Sequence, residues 1–290
     1  MKYLLLLFLI IPSLSFSQFL INKEGQAFTH VPFFNHTFVK ALKIAELKGS
    51  ISLKKKFDVI QTTADWLNYH FDTLGHLIQI EEVKKVGEKY DTSSTFFSYD
   101  EFHQLTQIKN KVADHWITTQ FSFDSSGKIN QEIQYQEAIS GKIKPILLKW
   151  ETIKSVPLEN GILKKFYNEN KVEVKEQTIL FLKNGEETEE TERWTLGFEQ
   201  VKKKQFFTNN RLVERSIFIN DDSLAQVQEI FSYDNQGELI SKKLMRNGEN
   251  IQEWQIIYDA KNKVLSAVLI LDERTGTLKI LRYTIIKHDH

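Results

Sequence analysis

The sequence predicts an all-β protein, an antiparallel meander of repeated β-hairpins forming a curled, wrapped or barrel-like sheet. Three observations carry that prediction. A heptapeptide recurs seven times, its fifth residue almost always tolerates left-handed backbone, and its flanks alternate apolar with polar. FDTLGHL, residues 71–77, is the first copy. The others begin at Tyr99, Phe123, Phe166, Phe206, Tyr233 and Tyr258, and an aliphatic follows six residues after each start: Leu77, Leu105, Ile129, Val172, Leu212, Leu239 and Val264.

The second position is Asp72, Asp100, Asp124, Asp234 or Asp259 in five copies, with Tyr167 and Phe207 as exceptions. The fifth position is Gly75, His103, Gly127, Asn170, Asn210, Gly237 or Asn262. Glycine and asparagine share a tolerance of φ > 0 that other residues meet at a cost. A four-residue loop built on a type I turn and closed by a left-handed residue joins antiparallel strands, and an Asp at its start accepts backbone N–H bonds. Each heptapeptide therefore reads as a hairpin loop, with the aromatic ending one strand and the aliphatic opening the next.

The flanks have a period of two. Phe97-Ser98-Tyr99, Phe121-Ser122-Phe123 and Phe231-Ser232-Tyr233 place two aromatics on one face and serine on the other, and Tyr69 with Phe71 repeats the arrangement. Ile129, Gln131, Ile133 and Tyr135 alternate with Asn130, Glu132 and Gln134. Successive copies lie 28, 24, 43, 40, 27 and 25 residues apart. At about 3.3 Å per residue, roughly 25 residues hold two strands and two turns, so one period is one hairpin. The long gaps hold extended strands or one further hairpin each. Asn247-Gly248 and Asn184-Gly185 read as return turns on the opposite edge. Residues 264–271 (VLSAVLIL) are apolar on both faces, as suits a central strand. A meander of about a dozen strands or more would expose its aromatics if left open, so it must close or fold into layers.

Before the repeats the sequence is ambiguous. Residues 38–48 (FVKALKIAELK) put Phe38, Leu42 and Ala45 on one helical face ahead of Gly49, a potential C-cap. Leu42, Ile44, Ile51, Leu53 and Ile60 fit the first strands of the sheet equally, and the strand reading is preferred because the first hairpin needs a partner.

Residues 1–17 read as a signal peptide: Lys2, an apolar run to Ile11, Pro12, then Ser15-Phe16-Ser17 at the expected cleavage site. That run falls short of the roughly 20 residues that span a bilayer, which argues against a transmembrane anchor. The remaining residues, 18–290, show no Pro/Ser/Gly-rich linker and read as a single domain, exported to the periplasm or beyond. The chain has no cysteine, which excludes disulfides, thiolate catalysis and lipoprotein acylation. Thirty-eight basic residues balance thirty-eight acidic ones, so no net field draws in nucleic acid.

The pattern Y/F-D-x-x-G-x-L, as in YDNQGEL at 233–239, resembles the YD repeat of Rhs-like proteins, and is similar to exported β-repeat proteins of Bacteroidetes-type bacteria. The resemblance runs from about Lys40 onward. It implies an extracytoplasmic hairpin-repeat fold and no chemistry, because the toxin-enclosing role of Rhs proteins requires a longer shell and an effector domain. Residues His76, Lys128 and Glu238 also stand where that family has arginine after the glycine.

No catalytic, cofactor-binding or metal site emerges. Acids are plentiful, but spacing selects no glycosidase pair; Asp221-Asp222 and the cluster at 186–192 (EETEETE) read as loop and solvated strand. The histidines His30, His36, His70, His76, His103, His115, His288 and His290 show no zincin spacing. His70 and His76 flank the Phe71 turn, where they read as a surface polar pair, and 288–290 (HDH) reads as a fraying tail. Nucleophile-elbow, phosphate-loop and dinucleotide fingerprints are absent. The ladder Tyr69, Phe71, Phe97, Tyr99, Phe121, Phe123, Phe231 and Tyr233 reads as core in preference to a sugar-stacking platform. The expectation is a non-enzymatic binding or structural module with an unidentified protein or glycan partner. Two alternatives are a lipid carrier with an apolar concave face and a hydrolase with a loop-borne site.

Overall fold

The computed structural model describes residues 18–141, 144–195, 197, 200–220 and 224–289. Residues 1–17, Asp221-Asp222 and His290 lie outside them. A helix, α1 (His36–Ala41), precedes β1 (Ile44–Lys54), β2 (Gln61–Phe71), β3 (Leu77–Val86), β4 (Lys89–Tyr99), β5 (Leu105–Val112) and β6 (His115–Phe123). Next come β7 (Ile129–Ala138), β8 (Ile146–Leu158), β9 (Gly161–Tyr167), β10 (Glu173–Leu182), β11 (Glu187–Trp194) and β12 (Gln200–Thr208). The chain ends with β13 (Arg211–Ile219), β14 (Val227–Tyr233), β15 (Leu239–Arg246), β16 (Glu249–Tyr258), β17 (Leu265–Asp272) and β18 (Thr277–Lys287).

Each strand pairs antiparallel with its sequence neighbours, and β18 pairs with β1 from Ile44↔Lys287 to Lys54↔Leu278. The expected meander thus closes into a β-barrel. Connections after even-numbered strands gather at one end, and those after odd-numbered strands at the other. Six of the heptapeptides sit at the first end.

Their loops work as the sequence implies. Asp72 Oδ1 accepts from the backbone N–H of Leu74 (2.9 Å) and His76 (2.8 Å), and Asp100, Asp124 and Asp234 repeat the pair of bonds two and four residues on. Gly75, His103, Gly127 and Gly237 are left-handed. A register shift falls beside the aromatic each time, as at His70/Phe71 and Ser232/Tyr233. This bulge lets the aromatic and the following aliphatic face inward together; Phe71 and Leu77 are register partners and both are buried.

Three copies depart from the expected loop. At Phe206 the connection is a two-residue turn, Asn209 and Asn210 both left-handed between Thr208 and Arg211. At Tyr258 the loop is one residue longer, and Lys263 rather than Asn262 is left-handed. At Phe166 the frame shifts by one, so that Asn168 plays the aspartate and Lys171 is left-handed. This last loop lies at the opposite end, because the long gaps each hide a hairpin whose turn lacks the motif. Asn184-Gly185 accordingly belongs to the first end, whereas Asn247-Gly248 is a return turn as expected.

The ambiguous segment 38–48 is helix and then strand, a correction to the strand preference. Asn35 caps α1 by accepting from Thr37 and Phe38, and left-handed Lys43 ends it. Gly49 is no helix cap. It sits within β1 facing Tyr283, where a Cβ would lie 2.4 Å from the Leu67 carbonyl.

Residues 18–43 stopper the first end. Phe19–Ile21 and Phe33–Asn35 form a small antiparallel pair through Leu20↔Phe34 and Ile21 N to Phe33 O (2.6 Å). Phe19, Leu20, Phe33, Phe34 and Val39 are buried among inward residues of β1–β5 and β13–β18. Phe34 meets Tyr69 and Phe71 edge-on at 4.9 and 5.1 Å between centroids. The aromatic ladder is therefore mostly core, as expected, and the stopper supplies the inner half of it.

Candidate functional site at the stoppered end

Beyond the stopper the inner wall is charged. Arg215, Glu229 and Lys242 form one cluster: Lys242 Nζ lies 2.9 Å from Glu229, whose other oxygen is bonded by Arg215. Glu229 is 6 % exposed. Arg215 also donates to the Glu24 carbonyl of the stopper at 2.7 Å, so the cluster anchors that segment from below. Lys149 pairs with Glu132 (2.9 Å), and Lys175 with Glu192 (3.3 Å) while its ammonium lies 4.1 Å from the Phe166 ring. The acid-rich stretch at 186–192 is consumed the same way. Glu189 pairs with Lys202 and Lys204, Glu190 with Lys203, and Glu187 with Lys183.

Two titratable features hold the stopper to the loops. The buried carboxylate of Glu238, 5 % exposed, accepts from the Phe19 N–H at 3.2 Å, and burial pushes its pKa up to about 7. On the other side, His36 of α1 stacks on His76 and His103 at 5.1 and 5.8 Å, and His76 stacks on Tyr99 at 4.6 Å. His76 Nδ1 bonds Asp72 at 2.9 Å. Burial, then the two neighbouring imidazoles, hold His36 below the ordinary histidine pKa. Burial works against ionisation of Asp72, but the His76 hydrogen bonds outweigh it and leave its pKa lowered. Sequence reasoning missed this cluster because 40 residues separate His36 from His76; only the closure of the stopper onto two loops brings them together. His70 pairs across β3 with Gln79 and does not meet His76. Nor does His288 fray: its N–H donates to the Lys43 carbonyl (2.9 Å), and Nε2 lies 3.1 Å from the Asp72 carbonyl. Among the described residues no group of three or more His, Asp or Glu has metal-holding geometry.

The recurring aspartates are engaged with their own loops, and at the stoppered end they are spread from one hairpin to the next. Tyrosines link consecutive hairpins. Tyr99, Tyr233 and Tyr258 donate their hydroxyls to the carbonyls of Leu77, Leu212 and Leu239, the aliphatics that open the preceding strand pairs, at 2.9, 2.7 and 2.9 Å.

Between the stopper and the loops opens a cleft of about 410 Å³. Amides dominate its lining: Gln18, Asn22, Asn35, Asn209, Asn210 and Gln236, joined by the cations Lys23 and Arg211 and by the Tyr233 ring. Among the described residues no carboxylate lines it. Asn22 Nδ2 bonds the Tyr233 hydroxyl at 3.1 Å, and the Arg211 guanidinium lies 5.9 Å from the Tyr233 ring centroid.

Fold and site together define a closed antiparallel β-barrel stoppered by its own N-terminal segment. No family model and no curated protein matches the chain. Solved structures match more distantly. A porin-like protein from Bacteroides uniformis has 11% identity and a TM-score of 0.40, over 84% of this chain and 96% of that one. A DUF1329 family protein from Desulfovibrio piger has 6% identity and a TM-score of 0.28, over 88% and 92%. A TcdB2–TccC3–Cdc42 structure has 11% identity and a TM-score of 0.21 over 76% of this chain, and this chain spans only 15% of that one.

Proposed function

We propose that this protein is an exported, non-enzymatic binding module that takes a neutral, hydroxyl-rich ligand, a glycan, in the cleft beside its stopper. The amide lining carries the reading. Asn22 and Asn35 are engaged within the stopper and with Tyr233, but Gln18, Asn209, Asn210 and Gln236 offer amide donors and acceptors together without charge, which suits hydroxyl groups, and the Tyr233 ring offers a stacking face. A glycosidase would need two carboxylates about 5 to 9 Å apart at the bond, and none lines this cleft. The lipid-carrier alternative loses its support as well: the apolar end of the barrel is filled by the stopper, and the wall beyond carries ion pairs.

Nor does the wall suit lipid on its outside. Glu190–Lys203 and Glu189–Lys204 are successive register partners on β11 and β12, so they fall on opposite faces. A membrane-spanning barrel needs an unbroken apolar band on one face.

Titrating a panel of neutral oligosaccharides by calorimetry tests the proposal. Saturable binding should weaken about three- to tenfold in Gln236→Ala, the loss of one hydrogen bond, and disappear in Gln236→Trp, which fills the cleft. Binding indifferent to both substitutions, or no binding across the panel, would overturn it.

A further inference from the structure

The unstoppered end carries a feature that no glycan cleft requires. The β1–β2 connection, residues 55–60, raises Phe57 at its tip with 96 % of the side chain exposed, followed by Val59 at 73 % and Ile60 at 50 %. Phe57 is also left-handed, at φ +66°. The Asp58 N–H bonds back to the Lys55 carbonyl at 3.1 Å, which makes Phe57 the third residue of a four-residue turn. Glycine or asparagine normally fills that position, since an aromatic there costs backbone strain. A strained, solvent-exposed aromatic contributes nothing to the folded barrel.

Lysines surround it. Lys54, Lys55 and Lys56 precede it directly, and the Lys56 ammonium lies 5.4 Å from its ring. Asp58 does not cancel them at the tip, because its carboxylate turns back to accept from Val59 N (2.8 Å) and Gln61 Nε2 (3.2 Å). The turns on either side around the rim share the pattern. The β3–β4 turn exposes Val86 between Lys85 and Lys89, with Tyr90 exposed just after it, and the β17–β18 turn brings Arg274, its Gly276 lying beside Lys56. Across residues 54–60, 85–89 and 273–276 there are six Lys or Arg against three Asp or Glu. This sector is basic in a chain with no net charge.

We propose that this sector of the open rim docks the barrel on an anionic lipid surface. Phe57, Val59 and Ile60 enter the headgroup region, and the lysines engage the lipid phosphates. The chemistry is that of an interfacial anchor: an apolar tip too small to hold alone, combined with a polybasic collar. The barrel itself stays out of the hydrocarbon, as the charge on both faces of β11 and β12 requires.

Co-sedimentation with vesicles tests this. The protein should pellet with phosphatidylcholine vesicles containing about a third phosphatidylglycerol, stay in solution with phosphatidylcholine alone, and be released by high salt. Phe57→Asn keeps the left-handed turn while removing the ring, and should weaken binding about tenfold with the melting curve unchanged or raised. Lys55→Gln/Lys56→Gln should weaken it further at low salt. Failure to pellet with anionic vesicles, or pelleting untouched by Phe57→Asn, would overturn the proposal. So would a concentration-dependent rise in sedimentation coefficient without vesicles that Phe57→Asn abolishes, which would assign the tip to contact between two copies.

Discussion

Asp124 shows what the recurring aspartates do. One oxygen holds two backbone N–H groups and the Ser126 hydroxyl, which fixes the loop and leaves no proton to trade. Asp124→Ala should therefore lower stability by about 0.5–2 kcal/mol, as for a lost helix cap, measured by chemical denaturation, and should leave ligand binding alone. The left-handed glycines are not equivalent. A Cβ on Gly127 meets only the far end of Gln104, whereas one on Gly75 would stand 2.1 Å from the His36 carbonyl of the stopper. Gly127→Ala should cost about 1 kcal/mol, and Gly75→Ala should cost more by displacing α1. Glu238 and His36 set opposite pH slopes. Folding raises the pKa of Glu238, so its stabilising effect is greatest below the unfolded value near 4.5 and fades as pH climbs toward about 7. Folding lowers the pKa of His36, so stability is lost as pH falls below 6.5. In the intact protein these slopes oppose each other. Glu238→Gln should expose the acid-side loss in melts taken from about pH 7 down to 5, and His36→Gln should expose the alkaline-side loss over the same range.

At the scale of elements, the hairpins were legible because each loop repeats the same demands on the same positions. Legibility failed where the demand was met by other residues. Lys171 and Lys263 take left-handed backbone without being glycine or asparagine, which moved the apparent frame, and the turns at 159–160 and 183–186 carry no heptapeptide at all. The six-residue α1 is too short for periodicity to reveal; its signal was Asn35, a capping residue, not the apolar spacing that follows. The cleft and the histidine stack were not legible, since both arise where the stopper meets loops far along the chain. Tyr258 illustrates how elements are coupled. Its hydroxyl satisfies the Leu239 carbonyl under the rim, and Tyr258→Phe should cost about 1–3 kcal/mol by leaving that acceptor buried and unpaired. Thermal melts of Tyr99→Phe, Tyr233→Phe and Tyr258→Phe would check it.

Across the whole molecule, the sequence required the sheet to close or fold into layers, and closure came through a pairing that no local pattern encodes. β1 and β18 join residues 44 and 287, and nothing in either strand announces the other. Composition did forecast the charge balance, and the structure shows its use, with acids and bases alternating around the wall in pairs. Export was read from residues 1–17 alone. It predicts that protein recovered from the periplasm or medium begins at or near Gln18 by N-terminal sequencing, and an intact Met1 there would refute it.

The stopper has an awkward place in the order of synthesis. Phe19, Leu20, Phe33 and Phe34 leave the ribosome before any of the strands that will house them, and the far side of their enclosure, β13 to β18, is made last. For the whole interval four large apolar side chains have no permanent home. Until β13 to β18 are made, that apolar surface is open to aggregation.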